Sequence, residues 1–372
     1  METLFFVVIF FLLTGLICGT FMLWSLTYPI SSDNTKNIPF LTIIIPARNE
    51  GRRLPQLLKS IKQQTWRAFE VIVVDDASED NTVEVAKKYG AEVLENSHIN
   101  NMTPGKSSAC ALGVKHAKGQ WLMFLDADVQ FVTEDSLEKI LSSYQKQNSK
   151  GILSIQPYHK VEKKYENLSV IFNVIVLTGV NVFTIWKGKF KTAGSFGPCI
   201  LCNKDDYDLS GGHESAKDSI MDDFALSEVF LAKHLPISNY GGKGILSMRM
   251  YTEGMQHLME GWTKNLASAS QSTHRFVMFL IHLWIFGAFT ATASLMISLM
   301  DGNGVLLIIS IFLYFLYGLH VLILGRKAGN FSSFILLFYP FLIIFFTVIF
   351  IYSLYRTHVL HSVMWKDRKI KI

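Results

Sequence analysis

The sequence predicts an α/β domain, built on a mostly parallel sheet and flanked by transmembrane helices. Three observations predict it. Four apolar runs are long enough to cross a bilayer, which takes about 20 residues. A normally charged stretch, 33–275, separates the first run from the other three. Within that stretch, short β-branched runs alternate with segments of helical spacing, the signature of strands and covering helices in a parallel sheet.

The first run is "LFFVVIFFLLTGLICGTFMLWSL", residues 4–26, which carries no charge. It is too long for the core of a signal peptide, lacks a basic flank and is followed by no A-x-A site. Residues 1–30 are therefore expected to form an uncleaved transmembrane anchor. The later runs, 276–300, 304–324 and 332–354, make 276–355 a set of C-terminal membrane segments, followed by a basic tail, 356–372. Overall composition agrees, since half of the 372 residues are hydrophobic and 17% are charged, against about 25% charged in soluble domains. The formal charge is only +5, and no nucleic acid is expected as a partner.

Glu2 precedes the first run, whereas Lys36, Arg48, Arg52 and Arg53 follow it. The positive-inside rule then places the middle domain, 38–275, in the cytoplasm of a multi-pass plasma-membrane protein. The loop "DGNG" (301–304) suits the outside and "GRKAG" (325–329) the inside. Arg356, Lys366, Arg368, Lys369 and Lys371 in the tail also favour the inside, but a fourth full crossing puts them outside. Pro340 admits a kinked or re-entrant last segment. The two signals conflict.

In the middle domain, "LTIII" (41–45) reads as a strand buried on both faces. Leu54, Leu57, Leu58 and Ile61 follow at helical spacing. "FEVIVVD" (69–75) is a second buried strand, with Ser78 and Asp80 as N-cap candidates for the helix "NTVEVAKKY", which ends at Gly90. "AEVLE" is a short third strand, 105–116 a helix, and "QWLMFLD" (120–126) a fourth strand. "GILSIQPY" (151–158) reads as another. The apolar stretch 168–186 is broken by Asn173, Thr178, Gly179 and Asn181, which disfavours a span. It is expected in the membrane interface or lining an apolar groove, with burial in the core as the alternative. Cys18, Cys110, Cys199 and Cys202 make no disulfide framework. "CILC" (199–202) has metal-site spacing but no second pair and an apolar interior, so a buried strand is expected.

The polar clusters fall at strand carboxyl ends, where ligands bind in such sheets. "TPGKSS" has the end of a P-loop, but its leading glycine would be residue 100, which is Asn, and no G-x-G-x-x-G follows a strand. A nucleotide triphosphatase and a dinucleotide enzyme are thereby disfavoured. Asp126 and Asp128 close the fourth strand. Two carboxylates one residue apart, at the edge of an apolar core, are costly without a partner. A divalent cation shared with a diphosphate removes that cost, since hard cations take oxygen ligands.

"TIIIPARNE" (42–50), "VIVVDDASEDNT" (71–82), "PGKSSACALGVKHAKG" (104–119) and "FLDADV" (124–129) together resemble, in order and spacing, the motifs of the family-2 inverting glycosyltransferases of GT-A (nucleotide-diphospho-sugar transferase) fold. "ILSIQPYH", "FGPCILCNKDDYDLSGGH", "RMYTEGMQHLMEGWTKNL" and "HSVMWKDR" are similar, more narrowly, to the carotenoid glycosyltransferases of staphyloxanthin biosynthesis, which join glucose to the carboxylate of 4,4'-diaponeurosporenoate. That resemblance implies a UDP-sugar donor, a lipophilic acceptor at the lipid bilayer, and Mn²⁺ or Mg²⁺ as cofactor. Pro46, Ala47, Arg48 and Glu50 would frame the nucleotide, Asp76 would accept from uracil N3–H, Lys106 would sit near the diphosphate, Asp126 would face ribose or sugar, and Asp128 the metal. The family's base motif falls on "MDDFALSE" (221–228), where Asp222 stands in place of the usual Glu, so Asp222 and Asp223 are both candidate bases. A carboxylate acceptor, already ionised, needs none. His213, Trp262 and Lys264 are candidate acceptor contacts. Processive members carry Q-x-x-R-W; here "LMEGW" (258–262) keeps Trp262 but has Gly261 in place of Arg, which implies a single transfer. The expectation is a membrane-bound hexosyltransferase acting in carotenoid biosynthesis, most simply with UDP-glucose. Its alternatives are another lipid acceptor (hopanoid, polyprenyl phosphate, diacylglycerol) or a non-catalytic membrane protein with a degenerate transferase domain.

Overall fold

The computed structural model describes residues 2–31, 37–96, 105–216, 222–360, 362–365 and 368–371. The chain divides into two compact units: Met1–Leu26 with His159–Ala193 and Met250–Ile372, and Thr27–Tyr158 with Gly194–Arg249. Residues 159–193 and 250–275 thus group with the membrane-length helices, although they lie inside the middle stretch that the charge pattern marks out.

The chain opens with α1 (Glu2–Met22) and then builds the sheet unit: β1 (Leu41–Ala47), α2 (Leu54–Lys62), β2 (Phe69–Asp75), α3 (Thr82–Lys88), β3 (Glu92–Glu95), α4 (Lys106–His116), β4 (Trp121–Leu125), β5 (Val129–Phe131), α5 (Ser136–Lys146) and β6 (Ile152–Gln156). It leaves through β7 (Tyr158–His159) for α6 (Val170–Gly179) in the other unit. It returns as β8 (Cys199–Asn203), α7 (Lys204–Ser210), α8 (Gly212–Ser215), α9 (Asp222–Ala232), β9 (Ile237–Gly241) and β10 (Leu246–Met248). The main sheet runs β3-β2-β1-β4-β8-β6-β9. β1 is central and parallel to both neighbours, with Ile44 opposite Ile72 and Phe124. β8 is the exception, antiparallel to β4 and β6. The β-branched strands are buried on both faces because helices cover both, so their core pools Ile44, Ile72, Val74, Leu122, Phe124 and Ile200 with Ala109 and Leu112 of α4. β4 enters this core through a tight approach: a Cβ on Gly119 would lie 2.4 Å from the Thr42 nitrogen, and Gly119 N donates to Thr42 Oγ1 at 2.8 Å.

Sequence reading places these strands closely, and "CILC" is indeed a buried strand whose cysteines are free. The N-cap assignments of α3 do not hold in full. The helix starts at Thr82, whose amide donates to Asp80 Oδ1 at 3.0 Å. Ser78 instead accepts from Asn49 N, 2.9 Å away, and ties two loops together.

The second unit adds α10 (Met255–Ser272), α11 (Arg275–Asp301), α12 (Gly304–Ala328), α13 (Ile335–His358) and a terminal hairpin of β11 (Ser362–Trp365) with β12 (Arg368–Lys371). Among the described residues, α1, α11, α12 and α13 are long and apolar enough to cross a membrane. α1 packs on α11 where Gly15 and Gly287 meet, a Cβ on either lying 2.8 Å from the other's Cα, the close approach that small residues allow between apolar helices. α13 is one continuous helix containing Pro340. Proline removes the amide that would pair with the Leu336 carbonyl, and α12 comes close to that carbonyl at Gly318, whose Cβ would sit 2.4 Å from it. Within the apolar stretch 168–186, α6 follows the alternative of core burial: Val170, Ile171 and Phe172 are completely buried. Phe172 stacks on Trp262 with centroids 4.7 Å apart and meets Phe346 edge-on at 5.0 Å. Helix–helix burial wins because its polar interruptions are satisfied internally, Asn173 by the Ser169 carbonyl and Thr178 by that of Val174.

Candidate active site

The carboxyl ends of β1, β2 and β4 carry the polar residues together because these strands are adjacent and parallel. After β1 the chain turns at Asn49, which takes a left-handed φ of 54°. Its side-chain oxygen accepts from Glu79 N at 2.8 Å. Glu50 N donates to Thr82 Oγ1 at 2.9 Å and Gly51 N to Asp80 Oδ2 at 3.0 Å. The loops after β1 and β2 are thus laced into one rigid rim. Although burial pushes the Asp80 carboxyl up, the bonds it accepts from Thr82 and Gly51 outweigh it and hold the group below its ordinary value.

Asp76 sits just beyond β2, 6% exposed, its amide donating to the Ala47 carbonyl at 2.8 Å. Asn96 Nδ2 donates to Asp76 Oδ1 at 2.6 Å and to Ser108 Oγ at 2.9 Å, and Ser108 Oγ donates to the Gly105 carbonyl at the start of α4. The Arg48 guanidinium lies on the other side, 3.8 Å from Asp76 Oδ2 and 3.3 Å from the Asp76 carbonyl. Pro46 and Ala47 complete this edge, Ala47 fully buried.

Asp126 and Asp128 occupy the tight turn between β4 and β5, with Ala127 buried between them. Asp126 N donates to the Pro198 carbonyl at 3.0 Å, and Asp126 Oδ1 pairs with Lys106 Nζ at 2.9 Å. Lys106 is the first residue of α4, so the same loop that tethers Asn96 supplies the cation. Asp128 is pushed up to about 7 by burial and then by the Asp126 and Glu50 carboxylates, with Arg53 opposing. Glu50 is itself paired with Arg53, 3.3 Å apart.

A carboxylate with raised proton affinity, facing two more carboxylates, suits a divalent cation. Among the described residues no group of three or more His, Cys, Asp or Glu side chains could hold a metal alone. Mg²⁺ is commonly held by one or two carboxylates and completed by substrate phosphate oxygens. Cys199 and Cys202 do not contribute: burial pushes both thiols far up.

Pro46, Ala47, Arg48, Glu50, Asp76, Lys106, Asp126 and Asp128 therefore share one rim. The side chains of Asp222, Asp223 and Lys264 lie outside the described residues; Asp222 opens α9 and Lys264 lies within α10. His213 is not brought to the rim. It is 2% exposed, with Nδ1 3.0 Å from Tyr207 Oη and its ring edge-on to Phe124 at 4.8 Å. In the helical unit, Trp262 is 3% exposed and its Nε1 donates to Ser169 Oγ at 3.0 Å. A Cβ on Gly261 would lie 2.0 Å from the Tyr251 ring. Three residues of the site escape sequence reading: Asn96, Ser108 and Arg53. The position of Asn96 at the carboxyl end of β3 is the signal that could have found it.

Residues 42–205 match glycosyl transferase family 2. The chain is 40% identical over 343 residues to the 4,4'-diaponeurosporenoate glycosyltransferase of Staphylococcus aureus (strain N315), covering 91% of each chain. It is 42% identical over 293 residues to that of Staphylococcus haemolyticus (strain JCSC1435), covering 77% of this chain and 78% of the relative. Among solved structures, a mannosyltransferase from Pyrobaculum calidifontis, in complex with GDP-Man and Mn²⁺, superposes with a TM-score of 0.56 at 16% identity, over 94% of this chain and 99% of that one. The fold is GT-A.

Proposed function

Because the chain belongs to glycosyl transferase family 2, we propose that it moves a single hexose, glucose in the simplest case, from a UDP-sugar to the carboxylate of a carotenoid acid at the membrane. The observation that carries the acceptor is the similarity, along nearly the whole chain, to proteins named for 4,4'-diaponeurosporenoate. Asp76 would accept from uracil N3–H, held in place by Asn96 and Arg48. Lys106 would turn from Asp126 toward the diphosphate, where a mobile point charge suits phosphate. Mn²⁺ or Mg²⁺, held by Asp128 with Asp126 beside it, would supply charge neutralisation of the leaving diphosphate.

A carboxylate oxygen of the acceptor attacks the anomeric carbon as the bond to the diphosphate oxygen breaks, with inversion. The negative charge passes from acceptor to UDP and no proton is transferred. Such an acceptor, with a pKa near 4, is ionised at neutral pH, so Asp222 or Asp223 would orient it rather than deprotonate it. Gly261 supports one transfer per acceptor: the Tyr251 ring fills the space that the arginine of processive members would need. Four membrane-length helices and the charge pattern support a multi-pass protein with the sheet unit in the cytoplasm.

The test is sugar transfer from labelled UDP-glucose by membranes carrying the protein, with Mn²⁺ or Mg²⁺. The acceptors offered are 4,4'-diaponeurosporenoate, a hydroxylated carotenoid, diacylglycerol and a polyprenyl phosphate, with Asp128→Asn as control. Label confined to the carotenoid acid and lost in the variant is expected. Label on another lipid alone would overturn the acceptor, and equal label with Asp128→Asn would overturn the site.

A further inference from the structure

The stretch "WKGKFK", residues 186–191, is given no role in the transfer proposed above, yet it sits beside an open cleft of about 370 Å³. Asn181, Lys189, Phe190, Lys191, Ser272 and His274 line this cleft. We infer that it binds the phosphate of an anionic bilayer phospholipid, tying the helical unit to a negatively charged membrane surface. The inference rests on the membrane reading proposed above.

Location argues first. The loop is stapled to the ends of two membrane-length helices. Ile185 N donates to the Phe21 carbonyl at 2.9 Å and Trp24 N to the Phe183 carbonyl at 2.9 Å, at the end of α1. His274 N donates to Asn181 Oδ1 at 3.0 Å, at the start of α11. Aromatic rings gather there: Trp186 meets Phe21 at 5.8 Å and Phe276 at 5.0 Å, and Trp24 is 48% exposed. Aromatic residues at the ends of spanning helices mark headgroup depth.

Charge argues second. Lys187, Lys189, Lys191, His274 and Arg275 are all exposed. No acidic residue occurs between Glu166 and Asp205 or between Glu260 and Asp301, so the sequence brings no carboxylate into either segment that forms the cleft. Chemistry argues third. Phe276 N donates to His274 Nδ1 at 3.2 Å, which leaves Nε2 as the ring nitrogen that can donate to a phosphate oxygen. Phe190 packs against that imidazole, centroids 4.5 Å apart, and offers an apolar wall to the glycerol and upper acyl chain.

The test is native mass spectrometry of the full chain in detergent, titrated with phosphatidylglycerol or phosphatidylcholine and, separately, with inorganic phosphate. Phosphatidylglycerol is expected to be retained preferentially. Affinity should fall about fivefold for Lys189→Gln or Lys191→Gln and about thirtyfold for both. Lys→Arg at both sites should restore it, and Lys146→Gln with Lys150→Gln, which removes equal charge elsewhere, should change nothing. Equal retention of the two lipids, or no loss in the double variant, overturns the inference, as does inorganic phosphate competing at the lipid's own concentration. Flotation with phosphatidylcholine vesicles reads membrane anchorage separately. Failure to float refutes anchorage, whereas floating without phosphatidylglycerol preference refutes only the cleft.

Discussion

Asn96→Ala tests whether the rim around Asp76 is preorganised. The Asn96 amide bonds the Asp76 carboxylate at 2.6 Å and Ser108 at 2.9 Å, and both it and Asp76 are buried. A hydrogen bond to a buried charge contributes about 2 kcal/mol, so the variant should lose about that much stability. Among the described residues, Asp76 would still face Arg48, 3.8 Å from its other oxygen. Freed from Asn96, the carboxylate can close that gap and turn its acceptor away from uracil. UDP affinity should then weaken about tenfold. Thermal unfolding reads the first effect and calorimetric titration with UDP the second, each repeated on Asp76→Ala and on the double variant. Because the two residues share one bond, the double variant should lose less than the sum of the singles. Unchanged UDP affinity in a folded Asn96→Ala protein, or strict additivity, would refute the reasoning.

Lys106→Met removes the cation at the start of α4 and should lower kcat/KM about a hundredfold, with partial recovery in Lys106→Arg, by steady-state transfer assays. Gly151→Ala should cost about 3 kcal/mol, measured by thermal unfolding, because Gly151 has φ 69° and a Cβ there would lie 1.9 Å from the Pro236 carbonyl oxygen. Cys199 and Cys202, their thiols raised by burial, hold almost no thiolate at pH 8. A thiol reagent should therefore spare both until the protein unfolds, and rapid native labelling mapped to either would contradict the buried strand. Gly261→Arg must displace the Tyr251 ring and should lower folded yield without lengthening the product. Mass spectrometry of the glycosylated acceptor should find one hexose, and a polymer from either protein would overturn single transfer.

How much of this was legible depends on where the deciding contacts lie. β1 and β2 were readable because a run such as "LTIIIPA" is buried on both faces by its own composition. The pairing of Asp126 with Lys106 was half legible: both residues stand out, but only the adjacency of α4 and β4 brings them to 2.9 Å. Asp126 and Asp128 occupy a turn rather than the end of a strand, since β4 ends at Leu125. Asn96 was invisible because a polar residue ending a short, partly exposed strand looks like any loop residue until Asp76 and Ser108 close around it. The burial of α6 is hidden from sequence for a similar reason. Its neighbours Trp262 and Phe346 come from distant helices, and no local pattern reports them. His213 looked like a contact residue, yet the Tyr207 hydroxyl and the Phe124 ring hold it in the core.

On the proposed function, the rim also accounts for how an anionic donor would enter a place so rich in carboxylates. Arg48 stands against Asp76, Arg53 against Glu50 and Lys106 against Asp126. The cations are thus stored on acidic neighbours. The Lys106–Asp126 pair is partly exposed, at 28% and 31%, and a pair of that kind contributes little, about 0–1 kcal/mol. On the proposed function, exchanging a carboxylate for a diphosphate oxygen at Lys106 would therefore cost little, while the diphosphate would gain a cation and Asp126 would be released to face the sugar. A Lys106 committed to a deeply buried partner would resist that exchange, and one with no partner would be disordered before the donor arrives. Weak, solvent-reachable pairing would keep the ammonium in place without holding it back from a diphosphate, so on the proposed function the ion pair of this site is a resting arrangement rather than a structural bond.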